Sequence, residues 1–162
     1  MTGVFVTGTD TGIGKTLVSA WLVRHWRADY WKPVQTGTVE GRDLDVIRRQ
    51  GVPGDGRRPT LFPSAYEFSA PLSPHAAAAL EGAEIVLDRL TAPASELLVV
   101  EGAGGALVPL NGQFLMVDLM VRLGLPVLVV ARSGLGTINH TLLTLEALRA
   151  RHLRIAGVVM SG

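Results

Sequence analysis

Val4-Phe5-Val6-Thr7-Gly8-Thr9-Asp10-Thr11-Gly12-Ile13-Gly14-Lys15-Thr16 decides the fold. An apolar run enters a glycine-rich loop, the loop ends in Gly-Lys-Thr, and an apolar, helix-like segment follows over residues 17–26. Strand, loop and helix in that order are the setting of a phosphate-binding loop. Glycines let the backbone curl until successive N–H groups point at one anion, and the following helix N-terminus adds positive potential. Lys15 is placed to reach terminal phosphates, and the Thr16 hydroxyl to ligate Mg²⁺. Gly8 and Gly14 are separated by the five residues Thr9 to Ile13, one more than the common pattern.

Working outward, apolar and β-branched runs recur at residues 4–7, 30–34, 97–100, 127–131 and 155–160 and predict buried parallel strands. Helical patterns fall between them, at 17–26, 43–50, 75–80, 84–90 and 138–152. In the last, Ile138, Leu142, Leu145 and Leu148 predict one apolar stripe. The alternation predicts an α/β, P-loop NTPase-like fold: a mostly parallel sheet with helices on both faces, and function at the carboxyl ends of the strands. Residues 51–63, rich in Gly, Pro and Arg, read as a surface loop whose Arg57 and Arg58 are solvated charges.

The 162 residues suit one domain, and 48% hydrophobic against 18% charged residues describe a globular chain. A formal net charge of +1 gives no electrostatic case for nucleic acid or an anionic membrane. The absence of Cys excludes disulfides and thiolate catalysis, and it fits a cytoplasmic setting. No apolar run reaches bilayer-spanning length, and no basic region precedes an apolar one as in a signal peptide. The four histidines show no metal-ligand spacing, and no serine sits in a nucleophile-elbow context.

Three further stretches carry chemistry. In Leu97-Leu98-Val99-Val100-Glu101-Gly102-Ala103-Gly104-Gly105, an apolar strand ends in a carboxylate and a glycine turn, where P-loop enzymes hold Mg²⁺. In Lys32-Pro33-Val34-Gln35-Thr36-Gly37, Lys32 is compatible with an exposed edge charge and with a second cation for a phosphoryl group in flight. Asp43 and Asp45 begin a helix, where two residues' separation lets only one face a metal.

Together with Pro71-Leu72-Ser73-Pro74-His75 and Gly134-Leu135-Gly136-Thr137-Ile138-Asn139-His140, these motifs resemble the dethiobiotin synthetase family in order and along the whole chain. The resemblance implies an ATP-dependent ligase of biotin synthesis, which joins CO₂ across the two amines of 7,8-diaminopelargonic acid. It implies ATP binding by Gly12, Ile13, Gly14, Lys15, Thr16, Leu17, Asp43, Glu101, Gly102, Ala103 and Gly104. Lys32 and Lys15 would be catalytic, and Thr16, Asp43 and Glu101 would hold Mg²⁺. Thr36 would touch the diamine, and Gly136, Thr137, Ile138 and Asn139 would receive substrate from the partner in a cytoplasmic homodimer. Gly12 stands where relatives commonly carry an acid. Relatives also continue past the strand at 155–160, so the expected arrangement is a single domain over 1–162, shortened at its C-terminal end. Other P-loop ATPases of the partition or cobyrinate amidase type, and a nucleotide-binding remnant without turnover, are the competing readings.

Overall fold

A computed structural model describes residues 2–162. Strand β1 (Thr2–Gly8) leads through the P-loop into helix α1 (Lys15–Trp26), which returns to β2 (Asp29–Trp31). Two short strands, β3 (Val34–Gln35) and β5 (Tyr66–Glu67), flank α2 (Asp43–Val46), a π-turn at Ile47–Gly51, and β4 (Leu61–Phe62). Then follow α3 (Pro74–Leu80), a 3₁₀ turn at Leu87–Arg89, β6 (Leu97–Gly105), α4 (Met116–Leu123), β7 (Val127–Arg132), α5 (Thr137–Arg149) and β8 (Ile155–Ser161). Among the described residues no helix is long and apolar enough to cross a membrane.

The main sheet has the order β4-β2-β6-β1-β7-β8, and every pairing in it is parallel. Its inner strands are apolar on both sides because helices cover both faces, whereas β8, expected to be buried, has no buried residue and leaves Val158 and Met160 exposed at the edge of the sheet. Val4, Val6, Tyr30, Val99 and Val130 pack with Ala20, Leu22 and Val23 of α1. Phe5, Leu98, Val100, Val127 and Val129 face the other way, onto Ala77 and Ala78 of α3, Met116 and Met120 of α4, and Leu148 of α5. The insertion of β6 between β2 and β1 sets the carboxyl ends of these three strands side by side.

Several expectations are corrected. The run at 30–34 is not one strand: it divides at Lys32-Pro33, and Val34–Gln35 pairs with Tyr66–Glu67 in a separate two-stranded sheet. Proline has no N–H to donate to a sheet, which ends β2 there. The helix expected at 84–90 reduces to one 3₁₀ turn, since its buried anchors Ile85 and Leu90 are not at helical spacing. Helix α4 was absent from the sequence reading, although Met116, Leu119, Met120 and Leu123 recur at helical spacing before Gly124. The stripe on α5 is buried only toward its C-terminal end: Leu148 is covered, whereas Ile138 is 74% and Leu142 56% exposed.

Residues 61–62, expected in a loop, form the edge strand against Tyr30 and Trp31. Arg57 is not simply solvated. Its Nη2 donates to both oxygens of Asp29 at 3.0 and 3.2 Å, while the Thr60 N–H and the Ser95 hydroxyl each donate to that carboxylate at 2.7 Å. Burial by itself would raise the Asp29 pKa, but these donors outweigh it and hold it below the ordinary value. A depressed carboxylate contributes stability above its unfolded pKa of about 3.9, and the contribution is lost as pH falls through the folded value. Asp29→Asn should therefore cost roughly 1–3 kcal/mol near neutral pH. The gap from wild type should narrow below about pH 4 in urea denaturation series; a pH-independent gap would remove the role of charge.

Candidate active site

The P-loop crosses from β1 to α1 with Gly14 at φ 91°, a left-handed conformation natural to glycine. A Cβ on Gly14 would lie 2.4 Å from the Ser161 hydroxyl, so the end of β8 abuts the loop. The loop borders a cleft of ≈ 740 Å³ lined by Gly12, Ile13, Gly14, Lys15, Thr16 and Leu17. Across it stand Lys32, Gln35, Thr36, Asp43, Arg49, Pro71–Pro74, Glu101, Ala103, Gly104 and Val108.

The chemistry of the cleft gathers on Glu101. Its side chain is wholly buried. Register aligns Trp31 with Val100, which leaves Lys32 beside Glu101. Beyond Val6 and Glu101, β1 advances two residues to Gly8 while β6 advances four to Gly105. This bulge turns Ala103 and Gly104 toward the cleft. Gly102 does not line it, because a Cβ there would lie 2.9 Å from the Phe5 ring in the core.

Lys32 Nζ donates to Glu101 Oε1 at 3.2 Å and also to Asp43 Oδ2. Only 8% of Lys32 is exposed, so of its two sequence readings the exposed edge charge gives way to a buried ion pair. Burial alone would depress its pKa, but the charges of Glu101 and Asp43 outweigh burial and raise it. Burial likewise works against the Asp43 carboxylate, and the Lys32 charge with hydrogen bonds from Lys32, Thr16 and Gln35 holds its pKa below the ordinary range. Asp45 turns instead to Arg48, at 2.6 Å. Lys15 is also buried, and its Nζ donates to the Asp10 carbonyl at 2.7 Å. Burial lowers its pKa, Glu101 opposes that, and Lys32 reinforces it.

Thr16 Oγ1 lies 2.8 Å from Asp43 Oδ1 and 2.9 Å from Glu101 Oε1. A hydroxyl has one proton, so it cannot donate to both carboxylates at once. The unmatched oxygen pair suits a hard cation, and oxygen donors of this kind suit Mg²⁺. Among the described residues no cluster of three or more acidic or histidine side chains could hold a metal alone. Mg²⁺ characteristically takes one or two carboxylates and completes its shell with phosphates and water.

Compared with known proteins, the chain matches a family model described as an AAA domain over residues 2–162. It is 58% identical over 163 residues to the ATP-dependent dethiobiotin synthetase of Paramagnetospirillum magneticum, covering 100% of this chain and 77% of the relative. The chain belongs to the dethiobiotin synthetase family. The Lawsonia intracellularis synthetase is 46% identical over 158 residues, covering 98% of this chain and 75% of the relative. A biotin biosynthesis bifunctional protein of Bordetella avium is 58% identical over 163 residues, with this chain spanning 34% of it. Membership in the synthetase family sets aside the partition and cobyrinate amidase families.

Of the residues expected from the sequence, all the P-loop members, Lys32, Thr36, Asp43, Glu101, Ala103 and Gly104 line one cleft. Gly136, Thr137, Ile138 and Asn139 do not; they open α5, away from that cleft. Sequence reasoning missed Gln35, whose Oε1 accepts the Asp43 N–H at 3.2 Å, and Tyr30, whose hydroxyl donates to Glu101 Oε2 at 3.0 Å. Strand alternation was the available signal for Tyr30, since residues two apart share a face and Tyr30 precedes Lys32 by two. Removing one partner of a buried ion pair strands the other charge, which costs about 3–5 kcal/mol. Lys32→Ala should lower unfolding free energy by that order in urea melts, and Glu101→Gln in the same chain should restore part of it. Unchanged stability of the single variant would contradict the buried pairing.

Proposed function

We propose that this chain closes the cyclic urea of dethiobiotin from 7,8-diaminopelargonic acid and CO₂, at the expense of ATP. The observation that carries the reading is the meeting of Lys32, Thr16, Asp43 and Glu101 at the mouth of the P-loop, within a chain of the synthetase family. In the reaction a neutral amine takes up CO₂ as a carbamate and sheds a proton. A carbamate oxygen attacks the γ-phosphorus, and ADP leaves. The second amine, also neutral, attacks the carbonyl carbon of the mixed anhydride; phosphate departs and that nitrogen sheds a proton as the ring closes. No step needs an enzyme nucleophile; positioning and charge neutralisation suffice.

Placement around the cleft supports the following roles. Backbone N–H groups of Gly12, Ile13 and Gly14 and the α1 N-terminus cradle the triphosphate, with Leu17 at the rim. Lys15 follows the terminal phosphates. Lys32 lies between the two carboxylates and neutralises the carbamate and the transferring phosphoryl group. Thr36 faces the diamine, while Ala103 and Gly104 permit close backbone approach to the reacting groups. Thr16, Asp43 and Glu101 would hold Mg²⁺, which when bound neutralises phosphate charge. The cysteine-free composition fits a cytoplasmic setting.

The remaining part of the reading is a homodimer in which Gly136, Thr137, Ile138 and Asn139 serve the partner's substrate. Support comes from their position outside this chain's cleft and from the exposed apolar side chains of Leu135, Ile138, Leu142 and Leu143 around the start of α5. A large exposed apolar patch marks an interaction surface.

Two experiments test this. With diamine, bicarbonate, Mg²⁺ and ATP, ADP release should depend on the diamine and match the dethiobiotin formed. Lys32→Gln should reduce kcat by roughly 10²–10³, as for loss of a positioned donor at developing negative charge. Diamine-independent hydrolysis, or nucleotide binding without turnover, would replace this reading with another ATPase or a binding remnant. In sedimentation velocity, wild type should run as a dimer and Leu142→Asp as a monomer; a monomeric wild type would refute the shared site.

A further inference from the structure

Glu101 presents two oxygens with different duties. Oε1 faces Thr16 and Lys32, at 2.9 and 3.2 Å. Oε2 points the other way and accepts the Tyr30 hydroxyl at 3.0 Å. Tyr30 stands in a central strand, wholly buried among Val4, Val6, Val99 and the α1 residues. A Phe would fill the same apolar space without burying a hydroxyl. The hydroxyl therefore has a consequence beyond packing, and among the described residues its one hydrogen-bond partner is Glu101.

The terminal torsion of a glutamate is broad, so contacts on one oxygen alone leave the carboxylate plane poorly fixed. A donor on the second oxygen fixes that plane from behind. A rigid β-strand supplies the donor, and the ring is locked by packing, as support for a functional ligand requires. We propose that Tyr30 is a positioning residue of the nucleotide site: by donating to Glu101 Oε2, its hydroxyl aims Glu101 Oε1 at Thr16 and at the cation bound with ATP. This rests on the reading of Thr16, Asp43 and Glu101 as the Mg²⁺ site.

The test is calorimetric ATP binding to the full chain, with Mg²⁺ in excess and with a chelator, for wild type, Tyr30→Phe, Glu101→Gln and the double variant. Wild type should bind ATP more tightly with Mg²⁺. Tyr30→Phe should keep its metal-free ATP affinity within about twofold, yet lose roughly tenfold of the Mg²⁺-dependent gain, the order seen when a ligand's supporting partner is removed. In the Glu101→Gln background the same change should cost nothing further.

Wild-type Mg²⁺ dependence in Tyr30→Phe would overturn the proposal while leaving the metal site intact. So would an equal loss with and without Mg²⁺, an undiminished loss in the double variant, or a Tyr30→Phe chain that fails to melt cooperatively, each of which marks a different or merely structural role. If wild type itself gains nothing from Mg²⁺, the metal reading fails, and the proposal falls with it.

Discussion

A carboxylate with no access to water governs this structure. Glu101 sits inside β6, between β1 and β2, where an unpaired charge would cost several kcal/mol. Three polar groups from two parts of the chain meet it: Tyr30 from β2, Lys32 just beyond that strand, and the Thr16 hydroxyl from the first turn of α1. Only a sheet in which β6 separates β1 from β2 brings these three together. The same order that completes the apolar sheet therefore assembles the phosphate site, and the site inherits the rigidity of the core beneath it.

The two lysines differ in what holds them. Lys32 is bound between two carboxylates that raise its pKa despite burial, so its charge is fixed in place. Among the described residues the Lys15 side chain has only a backbone carbonyl as its hydrogen-bond partner, and burial lowers its pKa. An anion entering the cradle would offer Lys15 a direct ion pair beside the more distant charge of Glu101. Lys32 already has its countercharges, and in the proposed reaction it would serve as a fixed electrostatic wall. Preorganisation of this kind avoids reorientation cost as negative charge moves.

The P-loop and the buried strands were legible in the sequence because each is a local pattern: glycines with a terminal Gly-Lys-Thr, and apolar runs of strand length. The site residues Lys32, Asp43 and Glu101 were legible through motif order. The burial of Lys32 was not, because it depends on β6 lying beside β2, a pairing of residues 69 apart. The contact of Tyr30 with Glu101 depends on the same neighbour relation, although strand alternation alone sets Tyr30 on the face of Lys32. Helix α4 is different: its apolar spacing was present in the sequence, but its start follows directly on a loop at Pro109–Leu115 that bridges to itself, which masked the boundary. On α5 the periodic stripe was real, yet a periodic stripe shows amphipathicity without showing which chain covers it.

The two carboxylates of the site are also supported unequally. Glu101 is built into a central strand and surrounded by packed side chains. Asp43 opens α2, a four-residue helix with no buried residue, followed by a π-turn anchored through Ile47. Asp43 is held by polar contacts alone, from Thr16, Lys32 and the Gln35 side chain. Elements with few buried apolar contacts open at lower free energy than core strands. In the proposed Mg²⁺ site, Glu101 would therefore be the fixed ligand and Asp43 the one able to adjust. Mg²⁺ demands near-octahedral geometry, and a rigid oxygen paired with a compliant one would let the protein meet that demand without moving the core.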